Sequence, residues 1–517
     1  MKTTRILSLL LVLVMMLSCF AACGGDSSTP QDGAADTSKP STPNTDKTAT
    51  PETDGKASAT DTANRASVKD DVPTTLNFAN SSDNKVTFFV RNSRELFLNE
   101  MDVEKTVNDT LTDAVYYRNA TVEKRLGVEI NQVASSAATT EWNQALRNAV
   151  LTKSGDYDAA AIYASAGSAL AVEGLYYNVL EIPHINLDKP WWNDSIIDET
   201  TLFDNAYFLA GDIALSEIGF GVTLFYNKNI FNELYSTTGD DIYGLVETGE
   251  WTVDRMYEYV EGAWDDRNSD GVINLGDQLG FTFANSAGDG AMDAWVAAMG
   301  IDITTMVDDY PELTFYNDHT VDAFEKLEWL HLQNPGTHVG EGGEFFDEFM
   351  AGNQLFVRAF ISSGQTFRNM TDDYGVLPLP KYDEEQEEYR TLAANISSLV
   401  VVLSSATELD KIGATLELMA AESYKQVIPA YYDTVLKGKY SDAPQDAAMY
   451  DLIINSLTYN FGFCFSTHSL EGIGSLFRVL DIDIAQKYAA NKIKYETGLE
   501  DLVNKLDELA WRMSMGE

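Results

Sequence analysis

Short apolar runs alternate with segments of helical period through most of the chain. Val86–Val90 is a run of β-branched and aromatic residues that predicts a strand. Apolar positions then recur at helical spacing over residues 107–126, and Gly127 supplies the residue type that ends helices. Val128–Ile130 predicts a second strand, Trp142–Thr152 a helix and Asp158–Tyr163 a third strand of small apolar residues. Tyr207–Ala210 and Val222–Tyr226 are further strand candidates. Later helices are expected at Val253–Trp264, Val321–Gln333, Asp410–Met419, Ala447–Leu457 and Leu499–Arg512. Strands that alternate with helices predict α/β units with parallel pairing. No internal repeat recurs at a period of roughly 20–50 residues.

The first residues follow a different pattern. Lys2 and Arg5 precede the apolar run Ile6–Phe20, which is the build of a secretory signal and is short for a membrane span of roughly 20 residues. Ala21, Ala22, Cys23 and Gly24 follow, small residues around a cysteine as at the cleavage site of a bacterial lipoprotein. Residues 1–22 are therefore expected to be removed and Cys23 to carry lipid, which places the protein on the outer face of the cell membrane. Residues 24–84 are Ser, Thr, Pro, Asp, Ala and Lys with almost no large apolar side chain, so this stretch is expected to be a disordered tether. A flexible coil of about 60 residues spans roughly 45 Å. The folded body is then expected from Lys85 to the C-terminus.

Composition sharpens the picture. The chain has 517 residues, enough for about two to four domains, and its hydrophobic fraction of 44% is that of a folded protein. Its 80 acidic and 35 basic residues give a net charge of -45, which argues against nucleic acid and against a polybasic grip on lipid. The tether holds few of these charges, so the acidity belongs to the body. Three cysteines occur, Cys19, Cys23 and Cys464. After cleavage and lipidation only Cys464 is left, so stability must come from packing and not from a disulfide. Cys464 lies between Phe463 and Phe465, as expected of a buried small apolar residue.

One loop carries specific chemistry. Asp266, Asn268, Asp270, Gly271, Val272, Asn274 and Asp277 fit the twelve-residue calcium pattern. Side-chain oxygens of Asp266, Asn268 and Asp270, the Val272 carbonyl, Asn274 and Asp277 would supply the oxygen shell that Ca²⁺ requires. The pattern occurs once, which suits a structural clip better than a calcium sensor. Enzyme motifs are thin: no zinc-protease, nucleophile-elbow or phosphate-loop signature is present, and the five histidines show no paired ligand spacing.

Several stretches then fall into one series. They are Asp113–Asn119, Glu123–Gly127, Pro190–Asn193, Ala210–Asp212, Leu224–Lys228, Trp251–Thr252, Phe349–Gly352, Tyr374–Pro380, Ala421–Ser423 and Val435–Tyr440. In this order and spacing the chain resembles the bacterial extracellular solute-binding proteins of the sugar-type family, lipoprotein receptors of ABC importers. Ser441–Gln445 departs from that resemblance, where relatives tend to carry a basic-acidic pair. The resemblance implies an α/β, two-lobe periplasmic-binding-protein-like fold of type II. Lobe 1 would span about 85–220 plus C-terminal returns, and lobe 2 about 228–380 including the loop 266–277. It also implies a cleft that closes on a small solute, with lobes joined by hinge strands.

The same resemblance nominates ligand residues. Arg91 and Asn92 follow the first strand, and Tyr163 and Ser165 follow the third. Asp212 lies in the Gly-Asp step, and Trp295 on a lobe-two helix. Arg358, Phe360 and Ser362 follow the Gly352 segment. Trp191 and Trp192 are adjacent and point apart, so one is expected in the core and Trp192 along the cleft. The implied function is capture of a mono- or oligosaccharide by a monomeric, lipid-anchored, non-enzymatic receptor that delivers it to an ABC permease. Two alternatives stay open, a cell-surface glycoside hydrolase or polysaccharide lyase carrying calcium, and a glycan-binding adhesin.

Overall fold

The computed structural model describes residue 58 and residues 61–515, except 106–108, 237–240, 286–290, 308–309, 341–344, 437–443, 467–469, 471 and 481–482. The leader, Cys23 and most of the tether lie outside the described residues, as do much of the Val435–Tyr440 motif and the start of Ser441–Gln445.

Strand β1, Lys85–Arg91, buries Val86, Phe88, Phe89 and Val90. A strand apolar on both faces belongs inside a sheet. It lies between β2, Glu129–Ser135, and β3, Ala159–Tyr163, both parallel to it, with Phe88 opposite Gln132 and Ala159. A fourth strand, Ser398–Val402, arrives from much later in the chain and pairs antiparallel with β3, Val400 opposite Ala161. Helix α1, Thr110–Leu126, follows β1. The Asp109 side chain accepts from the Leu111 and Thr112 amides at its start, and Gly127 ends it in the left-handed region with φ 69°. Helix α2, Thr139–Thr152, turns Trp142, Leu146 and Val150 into the core at four-residue spacing.

The second sheet holds β4, Val222–Asn227, β5, Leu279–Phe283, β6, Thr337–Val339, β7, Gln354–Phe360, and β8, Tyr374–Leu377. Its order is β8-β4-β7-β5-β6. β5 is parallel to β6 and β7, whereas β4 is antiparallel to β7 and β8. Every residue of β4 and β5 is buried. Helix α3, Val253–Ala263, is capped by the Thr252 side chain and buries Met256, Tyr259 and Val260. Helix α4, Ala291–Ala298, leads from β5 towards the later strands.

Each sheet anchors one lobe, and the chain passes between them more than once. One crossing enters β4 and the other leads into Ser398–Val402, now β9. They pair directly: Gly221 bridges Ala393, and the Ala394 amide donates to Phe220 O at 3.1 Å. Nearby, Thr391–Leu392 lies parallel to Leu457–Thr458. These paired crossing segments join the two lobes. Helix α5, Leu409–Glu422, and the long helix α6, Ile484–Ser514, follow. Among the described residues no helix is long and apolar enough to cross a membrane.

Four expectations need correction. Residues 61–84 are not a free tether. Arg65 and Val72 are buried, Arg65 pairs with Asp212 at 3.7 Å, and Asp70 holds Arg125 through two bonds of 2.8 Å. A polar composition hides a few anchoring side chains. Tyr207–Ala210 is not a strand, since only Leu209 bridges, to Val400. The helix expected at 499–512 starts at Ile484, and that expected at 321–333 is an α-helix, Asp318–Glu328, followed by one π turn.

Removing residues up to Asn84 should lower the melting temperature by several degrees. Exposing the Val72 contact surface alone costs about 1.5–3 kcal/mol, and Arg65 leaves Asp212 behind. A differential scanning measurement that finds equal stability would return this segment to the tether.

Candidate functional site

A cavity of about 420 Å³ opens where the second sheet meets the crossing segment. The C-terminal ends of β5 and β7 supply Phe281, Phe283, Arg358 and Phe360. Leu392, Ala394, Asn395 and Ile396 come from the crossing, Phe345 and Phe346 from the helix Phe345–Met350, Asp293 from α4 and Arg478 from the C-terminal region. Arg94, just after β1, reaches it from the first lobe. Ends of strands at a lobe junction are where α/β sheets commonly bind ligands.

The polar wall is tightly built. Arg478 donates to both carboxylate oxygens of Asp293, Nε to Oδ1 at 2.8 Å and Nη2 to Oδ2 at 2.7 Å. Asn395 Nδ2 adds a third bond at 3.0 Å. Burial pushes the Asp293 carboxyl up, and these partners oppose the shift. The aromatic wall has support behind it. Trp295 is fully buried and meets Phe281 edge-on at 6.1 Å and His331 at 4.6 Å, while His331 packs on Phe283 at 4.2 Å. Burial drives the His331 pKa down to about 3, so the ring is neutral and Nδ1 donates to Leu327 O at 2.7 Å.

Of the ten nominated ligand residues, Arg358 and Phe360 line this cavity. The other eight lie elsewhere. Trp295 sits one layer behind the lining. Arg91 is buried, with its guanidinium over the rings of Phe97 and Tyr163 at 3.7 and 3.8 Å. Its Nη1 donates to Ile396 O at 2.8 Å, and its Nη2 to Ser398 Oγ. Arg91 and Tyr163 therefore position the crossing segment. Asn92 is exposed beside β2, where its amide donates to Ser135 O. Ser165 is buried with its amide on Asn395 O. Trp192 is core, its Nε1 donating to Glu417 Oε2 at 3.0 Å. Asp212 is engaged by Arg65, and Ser362 lies in the turn after β7. Arg91, Trp192 and Asp212 turn inward to a buried partner, whereas Asn92 stays exposed.

Arg94, Phe281, Phe283, Asp293, Phe345, Phe346, Asn395 and Arg478 were not singled out from the sequence. The adjacent Phe345-Phe346 pair is the one local signal among them. Cys464 is fully buried, as expected, and burial pushes its thiol up to about 12.

The loop 266–277 curls on its own oxygens. The Asp270 and Gly271 amides donate to the Asp266 carboxylate, and Val272 N donates to Asp270 Oδ1 at 2.8 Å. Gly271, with φ 76°, takes the left-handed turn required at that position. Asn274 Nδ2 donates to Asp270 Oδ2 and Val272 O, two of the oxygens assigned to calcium. Asp277 is fully buried, and its Oδ1 finds no hydrogen-bond partner among the described residues. That orphaned oxygen and the all-oxygen donor set fit a hard cation. Among the described residues no three His, Cys, Asp or Glu side chains converge as a metal cluster, so Asn and carbonyl oxygens would have to complete the shell.

Two sheets, paired crossings and a cavity at their junction define a two-lobed periplasmic-binding-protein-like fold. Solved structures agree. The chain is similar to a cyclo/maltodextrin-binding protein complexed with maltotetraose, at 15% identity and a TM-score of 0.51 over 82% of this chain and 97% of that one. It is also similar to the galacto-N-biose-/lacto-N-biose I-binding protein of an ABC transporter from Bifidobacterium longum, at 14% identity and a TM-score of 0.52 over 81% and 97%. No family model and no curated protein matches the chain.

Glu417 offers a check on the buried Trp192 contact. Burial raises its pKa to about 7, against an ordinary value near 4.5. The folded state thus keeps a proton that the unfolded state loses, and stability falls as pH rises from about 4.5 to 7. Glu417→Gln keeps an acceptor for Trp192 and removes this titration. The variant's melting temperature should therefore gain on the parent's between pH 5 and 7.5; parallel curves would contradict the burial.

Proposed function

We propose that this protein is the solute-binding receptor of an ABC importer and takes a carbohydrate between its lobes. The cavity at the lobe junction carries the reading. Its phenylalanine faces can stack on the weakly apolar faces of a sugar ring, and its Arg, Asn and Asp groups can meet hydroxyls. The paired crossings at Gly221 and Ala393 give the lobes a hinge for closure. The leader and Cys23 support export, lipid anchoring at the membrane's outer face and delivery to a permease. A monomer suffices for that role.

Hydrolysis is a poorer fit to this cavity. Glycoside cleavage generally uses two carboxylates across the scissile bond. Among the described lining residues Asp293 is the single carboxylate, and Arg478 and Asn395 hold it.

The loop 266–277 is proposed to hold Ca²⁺ as a clip between α3 and β5, through Asp266, Asn268, Asp270, Val272 O, Asn274 and Asp277. Rotation of the Asn274 amide would present oxygen in place of nitrogen.

Calorimetric titration against neutral and acidic sugars should find a ligand without turnover, and Phe360→Ala should weaken it about two- to tenfold, from a stacking contribution of about 0.5–1.5 kcal/mol. Steady product release would instead establish an enzyme. Saturating Ca²⁺ over chelator should raise stability by about 2.7 kcal/mol at a hundredfold excess over Kd, and Asp270→Ala should abolish the rise. A melting temperature indifferent to calcium would remove the clip.

A further inference from the structure

We propose that the second lobe carries a docking groove for a basic polypeptide segment of a partner protein. The groove is a cavity of about 570 Å³ between two helices, and it shares no lining residue with the cavity at the lobe junction. One wall is α3, which turns Val253, Asp254, Tyr257, Glu258 and Glu261 to it at helical spacing. The other is the helix Asp318–Glu328 with its π turn, Trp329–Gln333, which together supply Lys326, Trp329 and Gln333.

The walls are held from below. Asn334 Nδ2 donates to Tyr257 O at 3.0 Å, and Gly336 sits so close to Val260 O that a Cβ there would lie 1.9 Å from it. Lys326 Nζ donates to Asp254 Oδ2 at 2.7 Å and to Tyr382 O at 3.0 Å, so this cation is already engaged. Its ammonium also lies over the Tyr382 ring at 4.4 Å. Trp329 is 50% exposed, and among the described residues no cation and no second ring covers it.

An open indole face beside carboxylates suits a cation, because the ring quadrupole and the carboxylates both attract positive charge. A second groove shares Asp254 and Glu258 and extends the acidic surface with Glu250, Asp383, Glu384 and Glu385. Its Arg255 is engaged by Glu258 at 2.7 Å. Among the described residues no cation lies within ion-pair distance of Glu250, Glu261, Glu384 or Glu385. Two adjoining grooves favour a chain over a single small cation. Asp254 and Glu258 are one helical turn apart, about 6 Å along the axis. Alternate side chains of an extended peptide are about 6.6 Å apart. Basic residues at alternate positions therefore meet successive carboxylates, one of them covering Trp329, while Tyr257 offers apolar surface to their aliphatic stems.

The full chain can be titrated with a labelled peptide of alternating Arg and Ser, read by fluorescence anisotropy in low salt and in 0.5 M NaCl. The net charge of -45 attracts any polycation, so the variants carry the test. Trp329→Ala and Glu261→Gln should each weaken binding about two- to fivefold. Trp511→Ala, an exposed tryptophan on α6, should leave it unchanged. All three positions are exposed, so the melting temperatures should match the parent's. Binding should also weaken in high salt. Affinity unchanged in Trp329→Ala or in Glu261→Gln, or lowered equally in Trp511→Ala, would overturn the groove and leave only bulk attraction. Spermine bound as tightly as the peptide, with the same loss in Trp329→Ala, would overturn the polypeptide part. No binding of the peptide in low salt would overturn the whole proposal.

Discussion

The buried guanidinium of Arg91 is the constraint on which the lobe junction depends. It lies between two aromatic rings and donates to Ile396 O and Ser398 Oγ. Ser398 in turn donates to Glu100, whose other oxygen accepts the Ser216 amide at 3.1 Å. Burial lowers the Arg91 pKa to about 10, so the group stays cationic at neutral pH; burial raises Glu100, and Arg91 is the main opposing influence. Removing one partner from such a buried set typically costs about 3–5 kcal/mol, because the other charge is left stranded. The arrangement fixes β1 of the first lobe to the crossing segment. From Ile396 the constraint passes to Asn395, from Asn395 to Asp293, and from Asp293 to Arg478. Hydrogen bonds joined through the Asn395–Ile396 backbone thus run from the interior of one lobe to the wall of the cavity.

That sequence of contacts explains which parts of the molecule could be read in advance. The strands at 86–90, 158–163 and 222–226 are continuous apolar runs with helices between them, and local pattern is enough to find them. The stop at Gly127 is equally local. The second sheet was harder. β5, β6 and β8 are only three to five residues long, and a run such as Leu279–Phe283 has no period of its own.

The cavity wall was harder still, since its pairs are set by tertiary contact. Asp293 and Arg478 are 185 residues apart, and Asp293 and Asn395 are 102 apart. Resemblance led to Arg358 and Phe360 at the end of β7, which line the cavity. It could not tell which residue there turns outward. Arg91 turns in because Glu100 and the Ile396 carbonyl need a cation, and Asp212 turns in because Arg65 arrives from a segment whose composition looked like a linker. A site residue and a buried ionic anchor have the same letters, and only the partner distinguishes them.

Charge acts at two ranges in this protein. At long range the net charge of -45 would repel an anionic solute and slow its approach. At physiological ionic strength, though, that field decays over about 8 Å. Inside the cavity the solvent is partly displaced, and a nearby guanidinium acts through a lower effective dielectric than it would in water. The local wall therefore decides what the cavity holds, while the distant surface influences mainly how fast a charged solute arrives.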